Sequence, residues 1–255
     1  MTDIHTHILP GIDDGAKDEK VSEEMLSALY AQGVRRVVFT PHYYGQHRSP
    51  QDFLKLRSEA YEKIKGVVPA GMQTALGAEV HFSETVATNT DCGALSVGDT
   101  RYILIEFPFL YDWPATILQK LRYFMDETEK IPVIAHFCRY PQVRKNPGIL
   151  SDLADMGCLL QANTSAFLDK RDKGLVFAAM RHGLVHCLGT DCHNTAERAP
   201  NYMQAAEAIK KAGYGEALEK IEETMENILA DRYIPREKHT PVKKFLTIYK
   251  YTIYK

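Results

Sequence analysis

Two short pairs frame the chemistry this chain can do. His5-Thr6-His7 near the N-terminus and Asp191-Cys192-His193 far along the chain each carry potential ligands at alternate positions. In an extended segment alternate residues face the same side, so either pair can present two donor atoms to one metal ion. Between them lie His42 in TPHYY, Glu79 in LGAEV, Glu106 in LIEFP and His136 in VIAHF, each closing an apolar, β-branched run. A carboxylate buried after such a run needs a cation or several donors as partner. Asp13 and Asp14, in PGIDDG, read either as an Asp-Gly turn or as a loop that folds one carboxylate back toward the histidines.

These residues need a scaffold that gathers strand ends. Apolar runs at Asp3 to His5, Val34 to Thr40, Thr74 to Val80, Tyr102 to Glu106, Pro132 to His136, Leu159 to Asn163 and Leu184 to Thr190 are the candidate strands. Segments of helical spacing lie between most of them, such as Val21, Met25, Leu29 and Phe53, Leu56, Tyr61, Ile64 and Ile117, Leu121, Phe124. Ser49-Pro50 and Pro147-Gly148 read as helix starts, and further helices are expected at about 199–212 and 216–229. Strands alternating with helices predict a parallel sheet. Periodicity does not choose between a barrel and a doubly wound sheet, but both place their chemistry at the C-terminal strand ends. The ligand-type residues, with Asn163, fall at those ends. His47, His81, His182, His186 and His239 do not, and are read as structural.

Composition excludes several functions. The chain has 255 residues, 45% of them hydrophobic, and a net charge of -2, with no long basic block to grip nucleic acid. No apolar run suits a signal peptide or a bilayer span, so a cytoplasmic protein without a transmembrane segment is expected. Five cysteines without a C-x-x-C pair predict buried thiols rather than disulfides or a zinc ribbon. Neither internal repeats nor linkers are visible, which predicts one domain over 1–240 and a Tyr/Lys-rich tail over 241–255. That tail reads as an edge strand or a loose end. Tyr249, Tyr251 and Tyr254 make a phosphorylation site the alternative reading.

Taken in order, DIHTHILPGIDDGA, TPHYY, GAEVHF, LIEFP, IAHFCRYP and GTDCHN resemble the polymerase and histidinol phosphatase (PHP) superfamily. Within it they are most similar to the bacterial manganese-dependent tyrosine-protein phosphatases of capsular and exopolysaccharide synthesis. The resemblance implies a distorted seven-stranded (β/α)7 barrel with a trinuclear metal site at the C-terminal ends of its strands. Carried over by motif, His5, His7, Glu79 and Asp191 would hold one ion, with Glu79 bridging to a second on Glu106 and His136. Asp14, His42 and His193 would hold a third, with Asp13 in place of Asp14 still open. The implied substrate is phosphotyrosine on a protein, such as the C-terminal Tyr cluster of a bacterial tyrosine kinase.

Three divalent ions on five neutral imidazoles and four carboxylates leave the site at about +2, which suits a phosphomonoester dianion. The expected reaction is direct attack of a metal-bridging hydroxide on phosphorus, without a covalent enzyme intermediate. Oxygen and imidazole ligands admit Mn²⁺, Fe²⁺, Mg²⁺ or Zn²⁺, and the resemblance favours Mn²⁺. Arg139 and Arg198 follow ligand-bearing strands and suit bidentate contact with a phosphoryl group, the role that the resemblance gives them. Phe137 and Cys138 stand where the family pattern has Pro-Glu. They create a C-x5-R sequence, Cys138 to Arg144, like that of cysteine-dependent phosphatases. Pro141 deletes a backbone donor there and no glycine relaxes the turn, so a metal mechanism is preferred. The alternative activity is a PHP phosphatase of a small ester such as histidinol phosphate. Tyr43, Tyr44, Phe107 and Phe109, just beyond ligand positions, are candidates for a slot that takes a phenyl ring.

Overall fold

Strands and helices alternate along nearly the whole chain. In order they are β1 (Thr2–Thr6), α1 (Glu19–Ala31), β2 (Arg36–Phe39), β3 (His42–Tyr43), α2 (Pro50–Ile64), β4 (Gln73–Leu76), β5 (Glu79–His81), α3 (Glu84–Ala87) and β6 (Tyr102–Glu106). There follow α4 (Ile117–Thr128), β7 (Ile131–Ile134), α5 (Pro141–Lys145), α6 (Ile149–Asp155), β8 (Leu159–Asn163), α7 (Lys173–Arg181), β9 (Cys187–Gly189), α8 (Tyr202–Lys211) and α9 (Gly215–Leu229). An antiparallel pair, β10 (Lys243–Phe245) and β11 (Ile248–Lys250), ends the described chain. This computed structural model describes residues 1–110, 112–245 and 248–250. Tyr251 and Tyr254 of the tail cluster lie outside the described residues, whereas Tyr249 pairs with Lys244 in the β10–β11 ladder.

Local sequence explains the main helices. Asp18 caps α1 by accepting from the Val21 N–H at 2.9 Å, and Met25, Leu26 and Leu29 form its buried stripe. Ser49 accepts from the Asp52 N–H ahead of α2, where Pro50 occupies the first turn, and Phe53, Ala60 and Ile64 turn inward. Every residue of β1, β6 and β8 is buried, as befits parallel strands covered on both faces.

The parallel strands form two ladders, β1-β2-β4 and β3-β5-β6-β7-β8-β9. One expected strand is therefore broken and another is followed by an extra one: Thr74 to Val80 splits into β4 and β5, while Val34 to Thr40 holds β2 and the short β3 lies beyond it. Both interruptions have a physical cause. Pro41 has no N–H to donate, while its carbonyl accepts from the Glu79 N–H at 3.0 Å, and Gly77 N–H crosses to the Phe39 carbonyl at 2.8 Å. The Gly77 carbonyl is taken up by the buried Arg57 at 2.8 Å. The ladder ends then curl toward each other, with a parallel bridge between Thr6 and Cys192 and the Asp191 N–H bonded to the His5 carbonyl at 2.8 Å. The result is an α/β fold with a curled parallel sheet and helices around it.

Candidate metal centre

The curl brings the strand ends to one mouth. His5 and His7 come from β1 and the residue after it, Glu106 closes β6, His136 follows β7, and Asp191 and His193 follow β9. His42 and Glu79 instead open the short strands β3 and β5, where they are direct register partners across the ladder. His136 and Asp191 sit at positive φ, +29° and +52°. Non-glycine residues held there cost about 1–3 kcal/mol each, and such strain concentrates at functional sites. Two glycines make the closeness possible. A Cβ on Gly15 would lie 2.1 Å from the His7 carbonyl oxygen, and one on Gly189 would lie 2.5 Å from His5 Cβ.

Nitrogen and oxygen donors converge in three groups: His5, His7, Glu79 and Asp191; His7, Asp14, His42 and His193; and His42, Glu79 and Glu106. Glu79 Oε2 has His5 Nε2 and His7 Nε2 at 3.2 Å and His42 Nδ1 at 3.0 Å, and its Oε1 is 2.6 Å from His136 Nε2. His136 Nε2 is also 3.4 Å from Glu106 Oε1. Asp14 Oδ1 lies 3.4 Å from both His42 Nε2 and His193 Nε2.

Second contacts orient the rings. His5 Nδ1 faces Gln161 Oε1 at 3.1 Å, His7 Nδ1 faces Asp13 Oδ2 at 2.8 Å, and His193 Nδ1 faces the Asp191 carbonyl at 2.9 Å. Each partner is an oxygen that can only accept, so Nδ1 carries a proton, and Nε2 is the nitrogen left facing the cluster to give its lone pair to a cation. The amide orientations follow from the same logic: Asn163 Nδ2 donates to Asp191 Oδ2 at 2.8 Å, Gln161 Nε2 donates to Asn163 Oδ1 at 3.1 Å, and Gln161 Oε1 also accepts the His136 N–H at 2.6 Å.

This donor set fits divalent cations. Among the described residues Glu79 Oε2, His42 Nδ1 and His193 Nε2 are buried and make no hydrogen bond, although they face one another's groups. Buried carboxylates this dense require positive charge from protons or from metal ions. Burial alone would raise Glu79 and lower His136, yet the charge of His5 and His136 holds Glu79 well below the carboxylate range. Glu79, with Glu106, lifts His136 to about 9. His193 goes the other way, to about 4, through burial and the neighbouring His7 cation.

Both expected arginines reach this centre. Arg139 Nη1 donates to Asp191 Oδ2 at 3.1 Å and Arg198 Nη2 to Asp191 Oδ1 at 2.7 Å. They border a cavity of about 430 Å³. The aromatic slot is smaller than expected: Tyr43 and Phe107 are core residues, each within 1% of full burial. Phe109 does reach the mouth, 44% exposed, stacked on His136 at 5.5 Å with the Arg139 guanidinium 4.9 Å from its ring. Tyr44 lies beside His42 and His81, at 5.5 and 5.3 Å. The C-x5-R segment makes no anion cradle. Cys138 is buried and its thiol is pushed up to about 12 by burial and by Asp172, while Arg144 binds the Cys138 carbonyl and Asp172.

Two neighbours of the centre, His81 and Gln161, lie outside the strand-end ligands read from the sequence, and the Asp13–Asp14 pair is resolved by its contacts. His81, register partner of Glu106, faces Glu106 Oε2 through Nδ1 at 3.1 Å. The Glu79-x-His81 spacing repeats that of His5-x-His7 and is the signal that points to it. Gln161 is signalled by an amide inside the apolar run LLQAN. Asp13 grips His7 and the His42 N–H, whereas its neighbour Asp14 approaches the ring nitrogens. The His47 ring, by contrast, packs beside Tyr44 at the rim. His182, His186 and His239 line a different cavity.

The sequence profile described as capsular polysaccharide synthesis, CpsB/CapC, matches residues 1–230. The tyrosine-protein phosphatase YwqE of Bacillus subtilis is 32% identical over 96% of this chain and 97% of that protein. The tyrosine-protein phosphatase CpsB of Streptococcus pneumoniae is 30% identical over 92% of this chain and the whole of that protein. A crystal structure from work on YwqE of Bacillus subtilis and CpsB of Streptococcus pneumoniae, described as unique metal-dependent tyrosine phosphatases, superposes with a TM-score of 0.84. It is 30% identical and covers 96% of this chain and all of that one. Shared profile, length and architecture agree with the order of the ligand motifs, and the chain belongs to the CpsB/CapC family of capsular polysaccharide synthesis.

Proposed function

We propose that this chain is a metal-dependent protein-tyrosine phosphatase that hydrolyses phosphotyrosine. The observation that carries this reading is the convergence of His, Asp and Glu donors on one mouth, with the guanidiniums of Arg139 and Arg198 both ending on the ligand Asp191. The relatives' names supply the substrate class. His5, His7, Glu79 and Asp191 would hold one ion, Glu79, Glu106 and His136 a second, and Asp14, His42 and His193 a third. Mn²⁺ suits these oxygen and imidazole donors. Bound divalent ions supply Lewis acidity toward phosphoryl oxygens and a lowered pKa for water.

The chain's own residues do the rest. Asp13 and Gln161 hold the imidazoles in the tautomer that presents Nε2. Arg139 and Arg198 stand beside Asp191, where they can take the phosphoryl oxygens as charge spreads over them. Phe109 offers an aromatic wall at the mouth. A tyrosinate leaving group has a pKa near about 10 and can depart without a dedicated acid.

The finer architecture belongs to the same reading. Counting β2 with β3 and β4 with β5, the curled sheet is a distorted seven-stranded PHP barrel over 1–240, to which 241–255 is a tail. No described helix is long and apolar enough to cross a membrane, and the five cysteines are buried and free of disulfides. Reduced thiols suit the cytoplasm, where the substrate would be the C-terminal Tyr cluster of a bacterial tyrosine kinase.

The test is hydrolysis of a phosphotyrosine peptide and of histidinol phosphate by the Mn²⁺-loaded protein, with His136→Ala and Arg139→Ala for comparison. Turnover of the peptide should be metal-dependent and fall about a hundredfold or more in Arg139→Ala. A strong preference for histidinol phosphate would overturn the proposal in favour of a small-ester phosphatase.

A further inference from the structure

The cavity beside Asp191 is larger than a single phosphoryl group requires. Its volume of about 430 Å³ falls in the range of roughly 300–1,000 Å³ typical of small-ligand sites. From Arg139, Asp191 and Arg198 it runs to Arg144 on α5 and to Arg171 and Asp172, just ahead of α7. The four guanidiniums are not equivalent. Those of Arg139 and Arg198 end on Asp191. That of Arg144 is held by the Cys138 carbonyl at 2.7 Å and by Asp172 Oδ1 at 2.6 Å, so it balances the Asp172 charge.

Arg171 differs from all three. Its backbone is pinned, with its N–H donating to Asp169 Oδ1 at 2.6 Å. Yet among the described residues its guanidinium makes no hydrogen bond or ion pair, although it lines the cavity. Glu197 also lines the cavity and does not pair with it. Asp172 feels Arg171 as well as Arg144, but once Asp191 faces metal ions the cavity lining sets four guanidiniums against the carboxylates of Asp172 and Glu197, which leaves net positive charge in a cleft whose walls strengthen its field.

We propose that Arg171 forms a subsite for a second anionic group of the substrate, a carboxylate or phosphate on a residue next to the phosphotyrosine. The inference rests on the phosphatase reading above and adds to it a substrate class: phosphotyrosine with an anionic neighbour. The phosphoryl group engages Arg139 and Arg198, and the neighbouring anion crosses the cavity to Arg171.

The experiment uses the full-length, Mn²⁺-loaded protein and three peptides of one length. Each carries a non-hydrolysable phosphonate analogue of phosphotyrosine, beside Gln, beside Glu, or beside a second phosphonate. Binding to wild type, Arg171→Gln, Arg171→Glu and the control Lys170→Gln is read by calorimetry. Wild type and Lys170→Gln should bind an anionic-neighbour peptide about three- to tenfold more tightly than the Gln peptide, the range of a partly exposed charge pair. The preference should vanish in Arg171→Gln and invert in Arg171→Glu. A gain with Glu assigns the subsite to a carboxylate, and a gain confined to the doubly phosphonylated peptide assigns it to a second phosphate. Equal binding of all three peptides by wild type, or a preference that survives both Arg171 variants, overturns the subsite. Hydrolysis of nitrophenyl phosphate by the wild type reports separately on the phosphatase reading. If that is absent with every divalent metal, both inferences fall.

Discussion

Asp13 Oδ2 lies 2.8 Å from Nδ1 of His7, and this contact aims the opposite nitrogen of the ring at Glu79 and Asp191. The next residue, Asp14, is turned the other way, 64% exposed, with Oδ1 between His42 and His193. Two adjacent carboxylates therefore have different work. One orients a ligand, and the other is placed to be one.

The two aspartates should separate in experiment. Asp14→Ala should lose one metal ion per chain in elemental analysis while the fold stays near wild-type stability, because its side chain is exposed. Asp13→Ala removes the acceptor of His7 Nδ1–H and of the Gly15 and His42 backbone N–H groups. It should weaken metal binding by about 10–100-fold, the usual effect of losing an outer hydrogen-bond partner, and lower the unfolding midpoint of the metal-free protein as well. Loss of an ion in Asp13→Ala with full retention in Asp14→Ala would reverse the assignment.

Gln161 is the second orienting residue, and it acts from a strand that presents no ligand of its own. Gln161→Leu strands two buried donors, His5 Nδ1–H and the His136 N–H. Each unsatisfied buried donor costs about 1–3 kcal/mol. Denaturant melts of metal-free protein should therefore show a loss of a few kcal/mol. Asn163→Ala frees only Asp191 Oδ2 and strands Gln161 Nε2, so its loss should be smaller. If Gln161→Leu melts like wild type, the network does not carry the rings.

What the sequence makes legible depends on what each residue answers to. His5, His7, Glu106, His136, Asp191 and His193 follow apolar runs, and a sheet that curls delivers them to one mouth whatever its exact register. His42 and Glu79 fit the strand-end pattern only in part, since they open short strands after the chain turns at Pro41 and Gly77. Those turns depend on a cross-strand exchange of hydrogen bonds between two chain segments, which neither segment shows alone. Asp13 and Asp14 were inseparable because an Asp-Gly turn leaves the direction of each carboxylate to its tertiary contacts. Tyr43 and Phe107 were candidates for the rim on position, but aromatic rings next to a strand end turn inward when a core is there to take them.

Cys138 tests whether the C-x5-R segment has any catalytic part. A buried thiol pushed up to about 12 is protonated at neutral pH and inert as a nucleophile. Cys138→Ala should keep phosphatase activity within about threefold, whereas EDTA should abolish it in both proteins. Chelator resistance together with loss in the alanine variant would move the chemistry to the cysteine.

Phe109 should affect binding more than turnover. Its ring stacks on His136 and lies under Arg139, so Phe109→Ala exposes one and releases the other. Aromatic and cation contacts of this kind are worth about 0.5–1.5 kcal/mol. KM for a phosphotyrosine peptide should then rise several-fold, with a smaller rise for an alkyl phosphate that has no ring to lose. Equal effects on both substrates would assign Phe109 to holding Arg139 and not to the substrate's ring.

Outside the centre, His186 should make stability depend on pH. Its Nδ1 accepts the Leu160 N–H at 3.0 Å, so the ring is held neutral, and burial with the nearby His239 lowers its pKa to about 4. The unfolded chain takes up that proton near pH 6.5, before the folded one does. Stability from this group is therefore complete above about pH 6.5 and is lost as pH falls from there toward 4. The loss is at most about 3 kcal/mol, and less because solvent reaches part of the half-buried ring. His186→Asn keeps an acceptor for the Leu160 N–H but cannot titrate. Urea melts of metal-free protein between pH 7 and 4.5 should show the wild type losing stability faster than this variant, the two curves converging toward neutral pH. Parallel curves would mean that His186 does not stay neutral in the folded chain.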